Sequence, residues 1–212
     1  MAKYPQARRN LDKRIEEKTD EVRKIARQFG KEFFDGERKY GYGGYNYNPK
    51  YWSGVVADFQ KRWGLDKNSS ILDVGCGKGF MLYDVMRLIP GIKIEGIDIS
   101  EYAIENAMDE MKPYVKAGNA IKLDYDDKSF DAVISINTVH NLPLKDCKEA
   151  IREIQRVAKK GAFITVDAYR NKEEKKRMEM WNLTAKTYMS VSEWKKLFKE
   201  VGYTGDYWWF IP

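Results

Sequence analysis

Residues 71–80 read I-L-D-V-G-C-G-K-G-F. An apolar run holding one acid, Asp73, enters three glycines at alternate positions, Gly75, Gly77 and Gly79, and leaves into a second apolar run at Phe80. Glycines where a strand turns into a helix let the backbone bend tightly and let a ligand come close to it. A dinucleotide fingerprint, G-x-G-x-x-G, needs glycine at position 80, and Phe80 stands there. Asp98 closes a further apolar run, G-I-D-I-S, nineteen residues beyond Gly79. An acid at that place can accept both hydroxyls of a ribose; the competing reading is a cap for the helix that starts at Ser100. Further on, I-N-T-V-H-N-L carries His140, the chain's one histidine, with Asn137 and Asn141. His140 either orients or deprotonates an acceptor, or is a loop histidine bonded to backbone. Asn137 either contacts a ligand or ends its strand. No cluster of His and carboxylates points to a metal, and Cys76 and Cys147 have neither metal nor redox spacing.

These residues need a scaffold, and the pattern supplies one. From residue 69, short apolar strands alternate with helical segments: strands at 69–75, 92–99, 114–120, 130–137 and 162–169, helices at 80–89, 100–111 and 145–160. The alternation predicts right-handed crossovers and a mostly parallel sheet with helices on both faces. Ser190 and Glu193 fit a capping box ahead of Trp194, Leu197, Phe198 and Val201, and a strand at 207–211 follows. Upstream, Pro49 opens a helix whose stripe is Trp52, Val55, Val56, Phe59 and Trp63, stopped by Gly64. Leu11, Ile15, Val22, Ile25, Phe29 and Phe33 recur at helical spacing and predict one amphipathic helix over 11–33.

The chain has 212 residues, 43% hydrophobic and 33% charged, which fits one α/β domain with a decorated end. No apolar run approaches the ~20 residues of a membrane span, and the first residues lack a secretory apolar core. With two unpaired-looking cysteines, the expectation is a cytoplasmic protein. The net charge of +6 sits at the ends, +4 over residues 1–39 and +3 over 170–212, in mixed signs. A nucleic-acid binder usually shows a denser stripe, so nucleic acid is disfavoured as a partner.

The spacing G-x-G-x-G behind Asp73, with Asp98, resembles motif I and its partner acid in class I S-adenosylmethionine-dependent methyltransferases. The likeness extends over A-G-N-A-I-K-L-D-Y-D-D-K-S-F-D-A-V, which resembles the small-molecule branch called methyltransferase type 11 at Gly118, Ala120, Leu123, Asp127, Ser129, Phe130, Asp131 and Val133. It covers about residues 52–210. The resemblance implies a Rossmann-like fold, a seven-stranded type of sheet either complete or with its last strands reduced, and S-adenosylmethionine as cofactor, leaving S-adenosylhomocysteine. It places Asp73 and Gly75 near the methionine amino group, Gly77 and Gly79 under the cofactor, Asp98 on the ribose and Ile99 flat on the adenine. Asn119, where the family usually has Asp, stands beside the adenine with an amide oxygen to offer, and Ala120 is the next cofactor contact. The family frequently has His where His140 stands, on the acceptor side; Asn137, from its place at the strand end, either contacts cofactor or acceptor or ends the strand. The implied activity is methyl transfer to a small-molecule acceptor by a monomer or homodimer. The alternatives are RNA or protein methylation through the basic termini, and a catalytically silent cofactor-binding module.

Residues 38–52, R-K-Y-G-Y-G-G-Y-N-Y-N-P-K-Y-W, hold five tyrosines. Residues 1–50 are expected to form a lid over a core of 51–212, with mobility from its glycines. Tyr40 and Arg38 are assigned to the cofactor, Arg38 to its carboxylate, and Tyr42 to the reacting centre, where its ring face suits a cation. Tyr47 and Tyr51 are expected to plug the core.

Overall fold

The structure is a computed structural model that describes residues 11–212, without the side chains of Asp12 and Lys13. Seven parallel-paired strands carry it: β1 (Ser70–Val74), β2 (Lys93–Asp98), β3 (Val115–Ala117), β4 (Phe130–Ile136), β5 (Ala158–Tyr169), β6 (Met189–Ser190) and β7 (Asp206–Phe210). The order is β3-β2-β1-β4-β5, after which β5 pairs with β7 along Phe163–Asp167 and with β6 at its carboxyl end. Alternation along the strands splits the core. Ile71, Ile134 and Phe163 face α4 (Pro49–Trp63) and α5 (Phe80–Leu88); Leu72, Val133 and Ile164 face α7 (Leu144–Val157) and α9 (Val191–Glu200).

Several local signals act as the residues suggest. Asn48 caps α4, Pro49 occupies its first turn, and Gly64 ends it in the left-handed region at φ 61°. Ser190 and Glu193 form the reciprocal capping box of α9.

The single helix expected over 11–33 is instead three: α1 (Leu11–Glu17), α2 (Asp20–Ala26) and α3 (Lys31–Phe34). Thr19 accepts from Val22 N–H and so starts a new helix, and Phe29 turns left-handed at φ 51° before Gly30. The helix expected over 100–111 is the short α6 (Glu101–Glu105), because Met108 N–H bonds to the Lys78 carbonyl in the glycine turn rather than to its own helix. Helix α7 stops at Val157, and residues expected to prolong it begin β5 beside Phe130. Helix α8 (Lys172–Trp181) has no apolar stripe to announce it, only Met178 buried among charges.

The carboxyl end of α8 anchors the N-terminal helices. Its last carbonyls have no helical partners. Lys18 donates to the carbonyls of Glu179 and Met180, and Arg14 to that of Trp181. Arg23 and Arg27 continue the series onto Asn182, Leu183, Thr184 and Ala185. Cations at a helix carboxyl end also meet its dipole favourably. Among the described residues, no helix is long and apolar enough to cross a membrane.

Candidate active site

The glycine turn sits at the carboxyl ends of β1 and β2. Gly75 N–H and Cys76 N–H both donate to the Ile97 carbonyl, which stitches the turn to β2. Gly75 has φ 87°, and a Cβ there would lie 2.0 Å from Thr138 Oγ1, so glycine is the residue this crossing admits. At Gly77, φ 56°, the nearest atom to an added Cβ is Tyr45 Cε1 at 3.2 Å. A tyrosine ring from the N-terminal segment therefore lies over the turn.

Beside the turn are two buried acids. Asp98 accepts from Gly77 N–H at 2.7 Å through one oxygen and from Ser100 N–H at 2.9 Å through the other. It thus serves the cap of α6 and the turn together, and each oxygen keeps a second lone pair. Burial raises its pKa against the pull of those two donors. Asp73 is barer. Among the described residues its Oδ1 is buried without a hydrogen-bond partner, and burial followed by the nearby Asp98 charge pushes its pKa up to about 8.

A cavity of about 900 Å³ opens above these acids, ample for a nucleoside-sized ligand and a second molecule. Of the residues predicted for the site, Asp73, Gly75, Gly77, Asp98, Ile99, Asn119, Ala120, Asn137, His140, Arg38 and Tyr42 line it. Ile99 is 60% exposed, an apolar surface without a protein partner over most of its area. Asn119 is exposed, and its amide oxygen already accepts from Ile121 N–H. Gly79 is not in the lining; it faces Met111, whose Cβ would lie 2.9 Å from an added Cβ, so its place is helix packing. Tyr40 does not line the cavity either. It packs with Phe33 on Val22, Ala26 and Leu183, in a small core between the N-terminal helices and the chain after α8. Tyr47 plugs the core side, its hydroxyl donating to Asp84 at 2.7 Å, whereas Tyr51 is 50% exposed at the cavity rather than buried.

The aromatic segment is fastened over the turn. Tyr45 packs on Phe80 at 4.8 Å and on Tyr42 at 4.3 Å, and Tyr42 stacks with Phe34 at 5.9 Å. Tyr42 N–H and Gly44 N–H bond to the carbonyls of Phe33 and Phe34 in α3. Lys78, inside the glycine motif, reaches both oxygens of Asp35 and the Tyr45 carbonyl. Asp35 also accepts from Tyr102 Oη and Tyr45 N–H. Arg38 turns back to the Gly41 carbonyl.

The far side of the cavity is built by the carboxyl ends of β4 and β5. Asn137 takes the left-handed conformation, φ 54°, held by Thr165: its N–H donates to Thr165 Oγ1, which donates back to its amide oxygen. His140 lies in a single 3-10 turn, Val139–Asn141, and is 4% exposed. Its Nδ1 accepts from Asp167 N–H at 3.0 Å. Burial lowers its pKa, with Asp167 opposing, so the ring is neutral with its proton on Nε2. His140 therefore presents a donor, not a base. Asp167 went unmarked in the sequence: it lies near the carboxyl end of β5, lines the cavity, and has its pKa raised by burial against the nearby imidazole. The only signal was its place, two residues before the end of the strand at Tyr169.

A parallel sheet, a glycine turn and an acid at each of the first two strand ends form a crevice of the kind in which open α/β sheets hold their ligands. The chain belongs to the family of class I S-adenosylmethionine-dependent methyltransferases, its residues 65–203 matching the family described as a methyltransferase domain. It is 30% identical to an uncharacterized protein of Haemophilus influenzae over 66% of this chain and 60% of that one. It is 32% identical to the tRNA (carboxymethyluridine(34)-5-O)-methyltransferase of Arabidopsis thaliana over 68% of this chain and 33% of the plant protein. The chain thus spans between a third and three fifths of the length of these relatives. In fold, it is similar to the YcgJ protein of Bacillus subtilis, with a TM-score of 0.56 at 22% identity over 70% of this chain and 67% of that one.

Proposed function

We propose that this chain binds S-adenosylmethionine along the glycine turn and transfers its methyl group to a small-molecule acceptor held between Asp167, His140 and residues 182–187. The observation that carries the reading is Asp73 Oδ1, a buried acceptor with no donor. Such an atom costs free energy until something supplies a hydrogen bond, and the ammonium of a methionine moiety is the donor it fits. The bound cofactor supplies an electrophilic methyl group; the chain's own residues do the rest.

Asp73 receives the ammonium and Asp98 the ribose hydroxyls through its remaining lone pairs. Ile99 covers the adenine face. Asn119 sits at the adenine edge, where its oxygen is shared with Ile121 N–H, and Ala120 continues that wall. Arg38 serves the methionine carboxylate from the aromatic segment. Tyr42 and Tyr45 close the crevice and exclude water, which leaves positioning to supply much of the rate. On the acceptor side, Nε2–H of His140 orients the nucleophile and Asp167 takes a proton if the acceptor must lose one. Residues 11–50 act as the lid; the first ten residues of the expected 1–50 segment lie outside the described residues.

The test is calorimetry with S-adenosylhomocysteine. Binding by the wild type and loss of most of it in Asp98→Ala support the reading; absence of binding by the wild type ends it. The similarity to a tRNA methyltransferase keeps an RNA acceptor as the second reading. That reading requires RNA binding that weakens steeply between low and moderate salt.

A further inference from the structure

We infer that the acceptor is an anion, a carboxylate- or phosphate-bearing molecule with a free N–H or O–H, and that Arg14 and Arg27 receive its charged end. The inference rests on the methyl-transfer reading above and adds the substrate class. Arg14 from α1 and Arg27 at the end of α2 both line the cavity. Arg14 donates through Nε to the Trp181 carbonyl at 3.5 Å and through Nη1 to the Lys39 carbonyl at 3.2 Å. Arg27 donates through Nε to the Thr184 carbonyl at 3.2 Å and through Nη2 to the Ala185 carbonyl at 3.5 Å. All four partners are neutral. A guanidinium carries five N–H donors in a fixed fork, so each arginine is aimed by two bonds and keeps three for a ligand.

Neither guanidinium is paired with a carboxylate within ion-pair distance among the described residues. Glu17 favours the charge on Arg14 and Asp20 that on Arg27 from farther off, but burial and a second arginine, Arg38 or Arg23, outweigh them. Lys186 adds a further cation to the same cavity. Carbonyl capping alone does not account for this. Lys18 and Arg23 cap the same run of carbonyls without lining the cavity. An anion bound between Arg14 and Arg27 supplies the missing countercharge through bidentate bonds. The cavity acids, Asp73, Asp98 and Asp167, belong to the glycine turn and the end of β5 and leave these arginines unpaired.

The rest of the acceptor is marked by two amides. Asn141 and Asn182 line the cavity, and among the described residues each has a buried Oδ1 without a partner while its Nδ2 is held by a backbone carbonyl. Both oxygens want a donor. A molecule with an anionic group at one end and an amine or hydroxyl at the other satisfies the arginines and the amides together.

The experiment begins with calorimetry of S-adenosylhomocysteine on the full chain; failure there ends the methyl-transfer reading itself. With binding established, tritiated methyl donor and the protein are incubated with an extract of the source organism. Acid-insoluble material is then separated, and the soluble products are passed over an anion-exchange resin. Transferred label held by the resin is the expected result, and phosphatase treatment separates the sources, releasing a phosphate-borne label and leaving a carboxylate-borne one bound. Label in a neutral or cationic product, in RNA or protein, or in nothing at all overturns the inference. In Arg14→Gln and Arg27→Gln the KM for the retained acceptor rises roughly tenfold or more, with S-adenosylhomocysteine affinity within about twofold of wild type, and Arg27→Lys recovers part of the loss. Unchanged transfer in the Gln variants, or a tenfold loss of cofactor affinity instead, overturns it equally.

Discussion

Lys78 Nζ lies 2.8 and 2.6 Å from the two carboxylate oxygens of Asp35, joining the glycine turn directly to the N-terminal segment. Lys78 is 8% exposed, so a charge set inside the glycine turn is nearly out of water, and its partner comes from 43 residues upstream. Burial alone would raise the Asp35 pKa, but Lys78, Tyr102 and Tyr45 N–H together hold it below its ordinary value. A lowered carboxyl pKa contributes stability that is present above the unfolded value near 3.8 and is lost as pH falls through the folded one. The fastening of the aromatic segment should therefore weaken only in acid, below about pH 4. Asp35→Asn should cost about 1–3 kcal/mol by leaving Lys78 without its charge partner. Amide exchange over residues 31–48 should rise at neutral pH while exchange in β1 and β4 stays slow. Equal protection of 31–48 in variant and wild type would remove the fastening role.

The raised pKa of Asp73 gives a signature in the opposite direction. Its folded pKa of about 8 exceeds the unfolded value of 3.8, so the folded protein holds a proton there that the unfolded chain does not. Without ligand, this group's contribution to stability is full below the unfolded value and declines as pH rises through about 8. An ammonium at Oδ1 favours the ionised form, so cofactor binding at pH 7 should expel close to one proton from this site. Calorimetry in two buffers of different ionisation enthalpy measures it. Asp73→Asn should abolish the proton release and weaken S-adenosylhomocysteine by roughly 10–100-fold, while leaving Tm at pH 8 equal to wild type or higher, since a costly buried charge is gone.

Much of this architecture was legible. The strand–glycine–helix unit, Asp98 and the alternation of β1 to β5 with helices announced the sheet, because buried parallel strands are near-continuous apolar runs. Ser100, Ser190 and Pro49 marked helix starts by chemistry that acts within one turn. What stayed hidden depends on contacts far along the chain. The Lys78–Asp35 pair and the capture of Met108 N–H by the Lys78 carbonyl each link segments more than 25 residues apart. Helix α8 escaped notice since its charged surface carries no period, and Asp167 because an acid near a strand end looks like an ordinary boundary.

Asp167 and His140 should separate in their effects. Asp167→Asn keeps the N–H that donates to His140 Nδ1 but removes the carboxylate, so the fold should hold. If the acceptor is deprotonated during attack, kcat should drop by about 10²–10⁴-fold with cofactor affinity little changed. His140→Ala instead strands the buried Asp167 N–H and should lower stability by about 1–3 kcal/mol. His140→Gln offers an acceptor to that N–H and should restore most of the stability. A stability loss in Asp167→Asn as large as that in His140→Ala would make the pair structural.

The tyrosines of the aromatic segment divide by what each ring touches, and this distinguishes a lid from a plug. Tyr40 packs against Val22, Ala26 and Leu183 and reaches no part of the cavity. Truncating it removes apolar contacts from a small core, so Tyr40→Ala should lower Tm with S-adenosylhomocysteine affinity within about threefold of wild type, from a loss of roughly 2–4 kcal/mol at a half-buried ring. Tyr45 lies over Gly77, packs on Phe80 and lines the cavity. Its phenol is pushed well above its ordinary pKa by burial and then by Tyr42, Asp73 and Asp98, so it stays a neutral donor beside the acids of the glycine turn. Tyr45→Ala should open the crevice to water and weaken the cofactor by an order of magnitude or more, while Tyr45→Phe, which keeps the ring and loses the hydroxyl, should recover the closure and reveal what the hydroxyl adds. If Tyr40→Ala harmed cofactor affinity more than Tyr45→Ala did, the lid would have to be reassigned to the other end of the segment.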